Sequence, residues 1–204
     1  MGRLHLFAPG EICTDDGCCA VGRLLQRPDD DPEIQRVLKQ IMVRDLAAGF
    51  TEAIRLSIEY VLDSARTSRF DPLSPEVHPG ERASVGAKLE YEVQHAFGWE
   101  KADPPNLLLD GVTVHVKATV GDNWAIPAEA RCRPCLCTQV QFKKRRHRTW
   151  LVRAHTVWLY QGSGSSNGRR GITARARKEW AVPLYDWTPL PVNPLANLGE
   201  ETDE

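Results

Sequence analysis

Asn106-Leu107-Leu108-Leu109-Asp110-Gly111-Val112-Thr113-Val114-His115-Val116-Lys117-Ala118-Thr119 reads as a β-hairpin. Asp-Gly is among the strongest short turn signals, because a two-residue hairpin turn needs positive φ at both central positions. A turn at Asp110-Gly111 sets Leu109 opposite Val112, Leu107 opposite Val114 and Asn106 opposite His115. Side chains alternate along a strand. Leu107, Leu109, Val112, Val114 and Val116 therefore share an apolar face, and Asn106, His115 and Lys117 share the other. Counting outward from the turn makes Asn106 and His115 a non-hydrogen-bonded pair, with Cα atoms about 4.5 Å apart. A surface hairpin with a wet polar face fits this pattern. So does a polar trio mounted on rigid strands, and the flanking sequence bears on the choice.

The chain has 204 residues, 42% apolar and 26% charged, which suits one substantial core or a core with an appendage. No apolar run approaches the roughly 20 residues of a membrane span. The first ten residues lack the basic-then-apolar pattern of a signal peptide, so a soluble, cytoplasmic protein with no membrane partner is expected. In that compartment Cys13, Cys18, Cys19, Cys132, Cys135 and Cys137 read as thiols or metal ligands rather than disulfides. Cys132-Arg-Pro-Cys135 has zinc-knuckle spacing, and Cys13-x4-Cys18 is a looser match. Cys132 and Cys135 are thus candidate zinc ligands, with small buried thiols as the plainer reading. The net charge of −1 hides an asymmetry: residues 131–180 carry 13 Lys or Arg against the single acid Glu179, a net of +12, leaving −13 elsewhere. Such a block speaks to partners rather than to fold.

Residues 1–31 read as an irregular extension ending in Asp29-Asp30-Asp31-Pro32, an acidic helix start. Ile34, Val37, Leu38, Ile41 and Met42 follow at helical spacing, and a second helical pattern runs from about Phe50 to Leu62. Residues 66–82, with Pro72, Pro75 and Pro79, read as a loop. Ser84 is the expected cap of a third helix that runs to Phe97 and stops at Gly98. After the hairpin, 135–142 and 149–160 read as strands joined by a basic loop, Lys143 to Arg148. Gly162 to Gly171 reads as a flexible loop, 173–180 as a short helix and 180–185 as a last strand. The Pro-rich, then acidic tail spans 189–204, leaving 32–188 as the main domain.

On the third helix Val85, Leu89, Val93 and Phe97 form the buried stripe, and Glu90 lies about 20° from Phe97 in projection, at its margin. A boundary glutamate is the bland reading. A helical carboxylate beside a hairpin ending in Val-Lys is also the layout of a metal-dependent phosphodiesterase site, where acids hold cations and a Lys steadies the nucleophile or the developing charge.

Several segments together resemble the NaeI-type restriction endonucleases, within the wider Pro-Asp…(Asp/Glu)-x-Lys nuclease superfamily. They are 66–71 (RTSRFD), 85–90 (VGAKLE), 111–117 (GVTVHVK), 124–130 (WAIPAEA), 171–174 (GITA) and 189–193 (PLPVN). The resemblance runs from about Asp31 to about Leu198 and covers the nuclease domain only. It implies an α/β fold, a mixed sheet flanked by helices with an N-terminal helical layer. It also implies hydrolysis of double-stranded DNA in restriction-modification, with a divalent metal, Mg²⁺ in the family. By position Glu90 falls on the helical metal-binding glutamate and Lys117 on the catalytic lysine. Asn106 falls on the first metal-binding aspartate, and His115 on the acid of the Asp-x-Lys motif. The implied catalytic set is then Glu90, His115 and Lys117, and the implied metal set Glu90, Asn106 and His115.

Mg²⁺ wants hard oxygen ligands, usually with a carboxylate. Asn106 offers an amide oxygen and His115 only a nitrogen, which makes Mn²⁺ or Co²⁺ more plausible. Asp103 and Asp110 are candidate substitutes for the missing acids, Asp103 the better placed. Beside a nuclease-like core, Lys143, Lys144, Arg145, Arg146, Arg148, Arg169 and Arg170 become candidate DNA-backbone contacts. A homodimer is a candidate assembly. Two further readings stand beside the nuclease: a catalytically impaired DNA-binding homologue acting as regulator or specificity partner, and a zinc-stapled interaction module.

Overall fold

The computed structural model describes residues 9–13, 23–103, 105–160 and 168–192. Strand β1 (Ile12–Cys13) pairs antiparallel with β2 (Arg23–Leu24), and a 3-10 turn at Pro28–Asp30 leads into α1 (Pro32–Ile41). Asp31 caps α1, its carboxylate accepting the N–H groups of Glu33 and Ile34 at 3.1 Å each. Ile34, Val37 and Ile41 are buried, as their spacing requires, whereas Met42 forms the C-cap and is exposed.

Helix α2 (Leu46–Leu62) starts earlier than its apolar pattern suggests, because Asp45 caps it through the N–H of Ala48. A single turn, α3 (Ser64–Thr67), follows inside the expected loop. Helix α4 (Pro79–Phe97) also begins early. Its cap is His78, not Ser84: His78 Nδ1 accepts from the Gly80 N–H at 3.1 Å, and the Glu81 carboxylate accepts from the His78 N–H at 3.3 Å. This is a capping box built on an imidazole, with Pro79 pre-set at the first helical position. Ser84 lies inside the helix, its hydroxyl donating back to the Gly80 carbonyl. Gly98, at φ 59°, ends α4 as expected.

The hairpin has the register read from the turn: β3 (Leu107–Leu109) pairs with β4 (Val112–Thr119), Leu107 opposite Val114 and Leu109 opposite Val112. Asp110 and Gly111 take φ of 46° and 70°. Asn106 stands outside β3, its N–H donating to the Asp103 carbonyl at 2.9 Å in a tight turn. The sheet continues through β5 (Pro134–Gln141) and β6 (Arg146–Arg153). After α5 (Ala174–Trp180) come β7 (Ala181–Pro183) and β8 (Thr188–Pro189). The order is β3-β4-β5-β6-β7, with β8 also on β6; β4 and β5 are parallel and the other pairs antiparallel. Strand β6 is shorter than expected at its C-terminal end, where Thr156–Trp158 is a 3-10 turn. The segment 161–167 and the tail from 193 lie outside the described residues.

Alternation along β5 and β6 gives the sheet two buried faces. Leu136, Val140 and Leu151 join Val112, Val114 and Val116 under α1, α2 and α4. Cys135, Cys137, Trp150 and Val152 face a second core with Trp124, Trp158, Trp180 and Cys13. The result is a mixed sheet flanked by helices, with the N-terminal helical layer on the first face. Arg153 of β6 clamps that layer: it holds Asp31 through two bonds of 2.6 and 2.8 Å, and Glu33 at 2.8 Å. Burial pushes the Asp31 carboxyl up, but the hydrogen bond and charge of Arg153 outweigh it and hold it below the usual range. Among the described residues, no helix is long and apolar enough to cross a membrane.

Candidate active site

Val85, Leu89, Val93 and Phe97 are buried, as the α4 stripe requires, and Glu90 sits at its margin. One turn before Glu90, Gly86 lies against β4: a Cβ there would meet the Ala118 carbonyl oxygen at 3.4 Å. That approach brings the glutamate within reach of the strand backbone. β3 pairs only as far as Val114, so the outer edge of β4 beyond that point is open to α4. Glu90 closes it. Oε1 accepts the Ala118 N–H at 3.1 Å, and Oε2 accepts from Lys117 Nζ at 3.1 Å, with both side chains less than a fifth exposed. One turn further along α4, Gln94 donates its Nε2–H to the Asn106 carbonyl at 3.1 Å. Helix α4 therefore holds β4 and the turn that leads into β3 through polar groups four residues apart.

His115 is 7% exposed. Burial, then the charge of Lys117, depresses its pKa; Glu129 opposes and Arg133 adds to the fall. The imidazole is neutral at pH 7 and offers a nitrogen lone pair. The geometry thus joins Glu90 and Lys117 directly and sets His115 within the field of Lys117. Asn106 is tied to the same helix through its backbone, not mounted on the strand beside His115. Asp110 is at the far end of the hairpin, its carbonyl accepting from Arg36 of α1, so it does not replace a missing acid here. Asp103 is exposed in the turn before Asn106. Gln94, which grips the hairpin, and Glu129, whose charge reaches His115, were not signalled by the sequence pattern.

Beyond the end of β4, Val120, Gly121 and Asp122 line a cavity of about 260 Å³ with Leu73, Arg82, Gln141, Phe142, Lys143 and Lys144. A basic cleft therefore opens a few residues past Lys117.

The family model for restriction endonuclease NaeI matches residues 36–204. The chain belongs to the NaeI restriction endonuclease family. No curated protein matches it. Nuclease and hydrolase chemistry in restriction-modification belongs to this family, and its members generally use a divalent metal.

Against that membership, the basic residues sort into two groups. The expected loop from Lys143 to Arg148 is shorter, because Arg146 and Arg148 are strand residues of β6. Arg146 bonds Gln141 and lies 4.1 Å over the Trp187 ring, and Arg148 donates to the Tyr185 carbonyl. Arg145 pairs with Asp71 at 2.8 Å. Lys143, Lys144 and Arg169 are exposed, and Arg170 is half-buried, bridging to Ile126 through its backbone.

The cysteines differ from the spacing-based pairing. The Cys135 thiol donates to the carbonyls of Ala130 and Arg133, and burial pushes it up to about 12. Cys132 takes a left-handed φ of 55°, a backbone reversal that sequence spacing does not reveal. Its sulfur lies 3.6 Å from that of Cys13. Cys18 and Cys19 lie outside the described residues.

Proposed function

We propose that this chain is a DNA endonuclease, with residues 32–188 as the nuclease domain, whose catalytic group is Glu90, His115 and Lys117. The observation that carries the proposal is the Glu90–Lys117 contact at 3.1 Å, where helix and hairpin meet. Glu90 offers a carboxylate oxygen and His115 a neutral nitrogen, and Asn106, whose backbone Gln94 ties to α4, is the third donor that the resemblance implies. That set fits Mn²⁺ or Co²⁺ better than Mg²⁺, which prefers an all-oxygen shell. A bound divalent ion would supply Lewis-acid stabilisation of the phosphate and a more acidic water. Lys117 presents an ammonium that orients the attacking water or stabilises charge developing on the phosphate. Gln94 and the Ala118 N–H hold the hairpin and Glu90 in register, which keeps these groups in place without reorganisation at the moment of reaction. The cleft lined by Lys143 and Lys144 provides a cationic path for the DNA backbone.

The same contact favours a second reading. Lys117 and the Ala118 N–H between them engage both oxygens of Glu90, and Asn106 and His115 stand at positions where the family resemblance implies acids, as expected of a DNA-binding homologue that has stopped cutting. Plasmid cleavage with Mg²⁺, Mn²⁺, Co²⁺ and Zn²⁺ in parallel separates the two. The endonuclease reading expects cutting with Mn²⁺ or Co²⁺ that falls by about 10²-fold or more in Lys117→Ala and Glu90→Ala. DNA binding with no cutting in any metal, together with cutting restored in Asn106→Asp/His115→Asp, establishes the homologue that has lost its acids.

A further inference from the structure

We infer that Cys13, Cys132 and His155 form a structural metal site, taking Zn²⁺ or a similar thiophilic divalent ion, on the sheet face that carries the second core. One ligand atom from each lies within 4.8 Å of the others, and all three residues are buried. Tetrahedral zinc with Zn–S bonds of about 2.3 Å sets its sulfurs about 3.8 Å apart. The Cys13 and Cys132 sulfurs stand at 3.6 Å. The His155 ring is 1% exposed and held edge-on against Trp158 with centroids 4.7 Å apart. Its Nδ1 is sealed from solvent with no hydrogen-bond partner among the described residues. The ring also hydrogen-bonds Cys13, so a nitrogen and a thiol already meet where a metal would replace the shared proton.

Charge and architecture agree. Both thiols release their protons on binding, and two thiolates neutralise one divalent ion, so the assembled site carries no net charge into an apolar core. Cys132 lies where a short turn enters β5, and His155 follows β6. Cys13 belongs to a ribbon of two residue pairs, which is marginal alone. The metal would staple that N-terminal ribbon to the sheet, with three protein ligands leaving a fourth tetrahedral position for a further donor. This site is separate from the Glu90–Lys117 group and does not depend on its role.

The test starts with zinc analysis of the purified 204-residue chain, which should give about one zinc per chain. Cys13→Ser, Cys132→Ser and His155→Ala should each lose it. Cys135→Ser and the Glu90→Gln/His115→Gln double variant should retain it, which separates this ion from any at the nuclease site. In the intact chain, Co²⁺ exchanged for zinc should show the sulfur charge-transfer and tetrahedral bands of thiolate ligation. That reading holds even where a variant fails to fold. A folded wild-type chain that keeps no zinc after incubation with it, a Co²⁺ spectrum without sulfur bands, or full zinc retention in Cys13→Ser would each overturn the proposal.

Discussion

His147 has no exposed surface and sits in a hydrogen-bonded row that crosses from the sheet to α2. Thr51 donates its hydroxyl proton to the Ala47 carbonyl at 2.8 Å, so His147 Nε2, at 2.9 Å from Thr51, must be the donor in that contact. A neutral ring then accepts at Nδ1 from the Tyr185 hydroxyl at 3.0 Å. Tyr185 has spent its proton, so Thr149 donates to it at 2.8 Å, and Thr138 donates to Thr149 at 2.9 Å. The direction of every bond follows from one backbone carbonyl. Burial lowers the His147 pKa from its ordinary 6.5 to about 4, and burial likewise raises that of Tyr185. Because the folded state binds the proton less readily than the unfolded chain, the stability linked to His147 is complete above pH 6.5 and is lost as pH falls toward 4. The loss across that window is on the order of 3 kcal/mol. His115 and His155 shift in the same direction, so they share the acid limb. His147→Gln keeps a donor and an acceptor but cannot titrate. Urea unfolding at a series of pH values should show a shallower loss of stability for this variant between pH 6.5 and 4. Equal slopes for the two proteins would mean that His147 does not carry the acid sensitivity.

Helix α4 is the element on which the site depends, and its seat is set by α2. Gly49 of α2 faces Phe97, where a Cβ would come within 2.3 Å of the ring. That ring is stacked on Trp99 at 4.1 Å and tilted against Phe50 at 5.1 Å, so it has little room to retreat. Gly49→Ala should therefore destabilise by about 1–3 kcal/mol despite the higher helix propensity of alanine. Chemical denaturation reads this, and a variant as stable as wild type would show that the aromatic stack gives way freely. The hairpin beneath α4 was legible in the sequence because Asp110-Gly111 and strict alternation are local signals. Glu90 was legible as the charge at the margin of an apolar stripe. The start of α4 was not, because its cap is the imidazole of His78, a residue outside the usual capping set. The length of the basic loop was not, because Arg146 and Arg148 are drawn into β6 by Gln141, Trp187 and Tyr185, two of them far along the chain. Alternation puts Asn106 on β3, but the turn at Asp103 and the Gln94 contact take its backbone off the strand. The Cys13–Cys132 contact spans 119 residues, a distance at which no local pattern carries information.

At the scale of the molecule, the +12 block in residues 131–180 is not a uniform basic surface. Arg153 is buried against Asp31 and Glu33, Arg145 pairs with Asp71 and Arg175 pairs with Glu179. Arg153 is thereby committed to the fold, while the exposed pairs of Arg145 and Arg175 offset part of their charge. Lys143 and Lys144 are exposed, make no ion pair with the described residues, and line the cleft that opens past the end of β4. If DNA lies along that cleft on its way to Lys117, these two lysines each meet a phosphate. Neutralising a duplex phosphate contributes about −0.9 to the slope of log K against log salt, so Lys143→Ala/Lys144→Ala should make the slope shallower by about 2. Affinity should fall most at low salt and converge with wild type as salt rises. Arg175→Ala, which removes a cation already paired on α5, should leave the slope unchanged and serves as the control. Filter-binding titrations on one duplex from low to moderate salt supply both slopes. An unaltered slope in the lysine pair would move the DNA track off this cleft, and with it the reason for placing the backbone beside the Glu90–Lys117 pair.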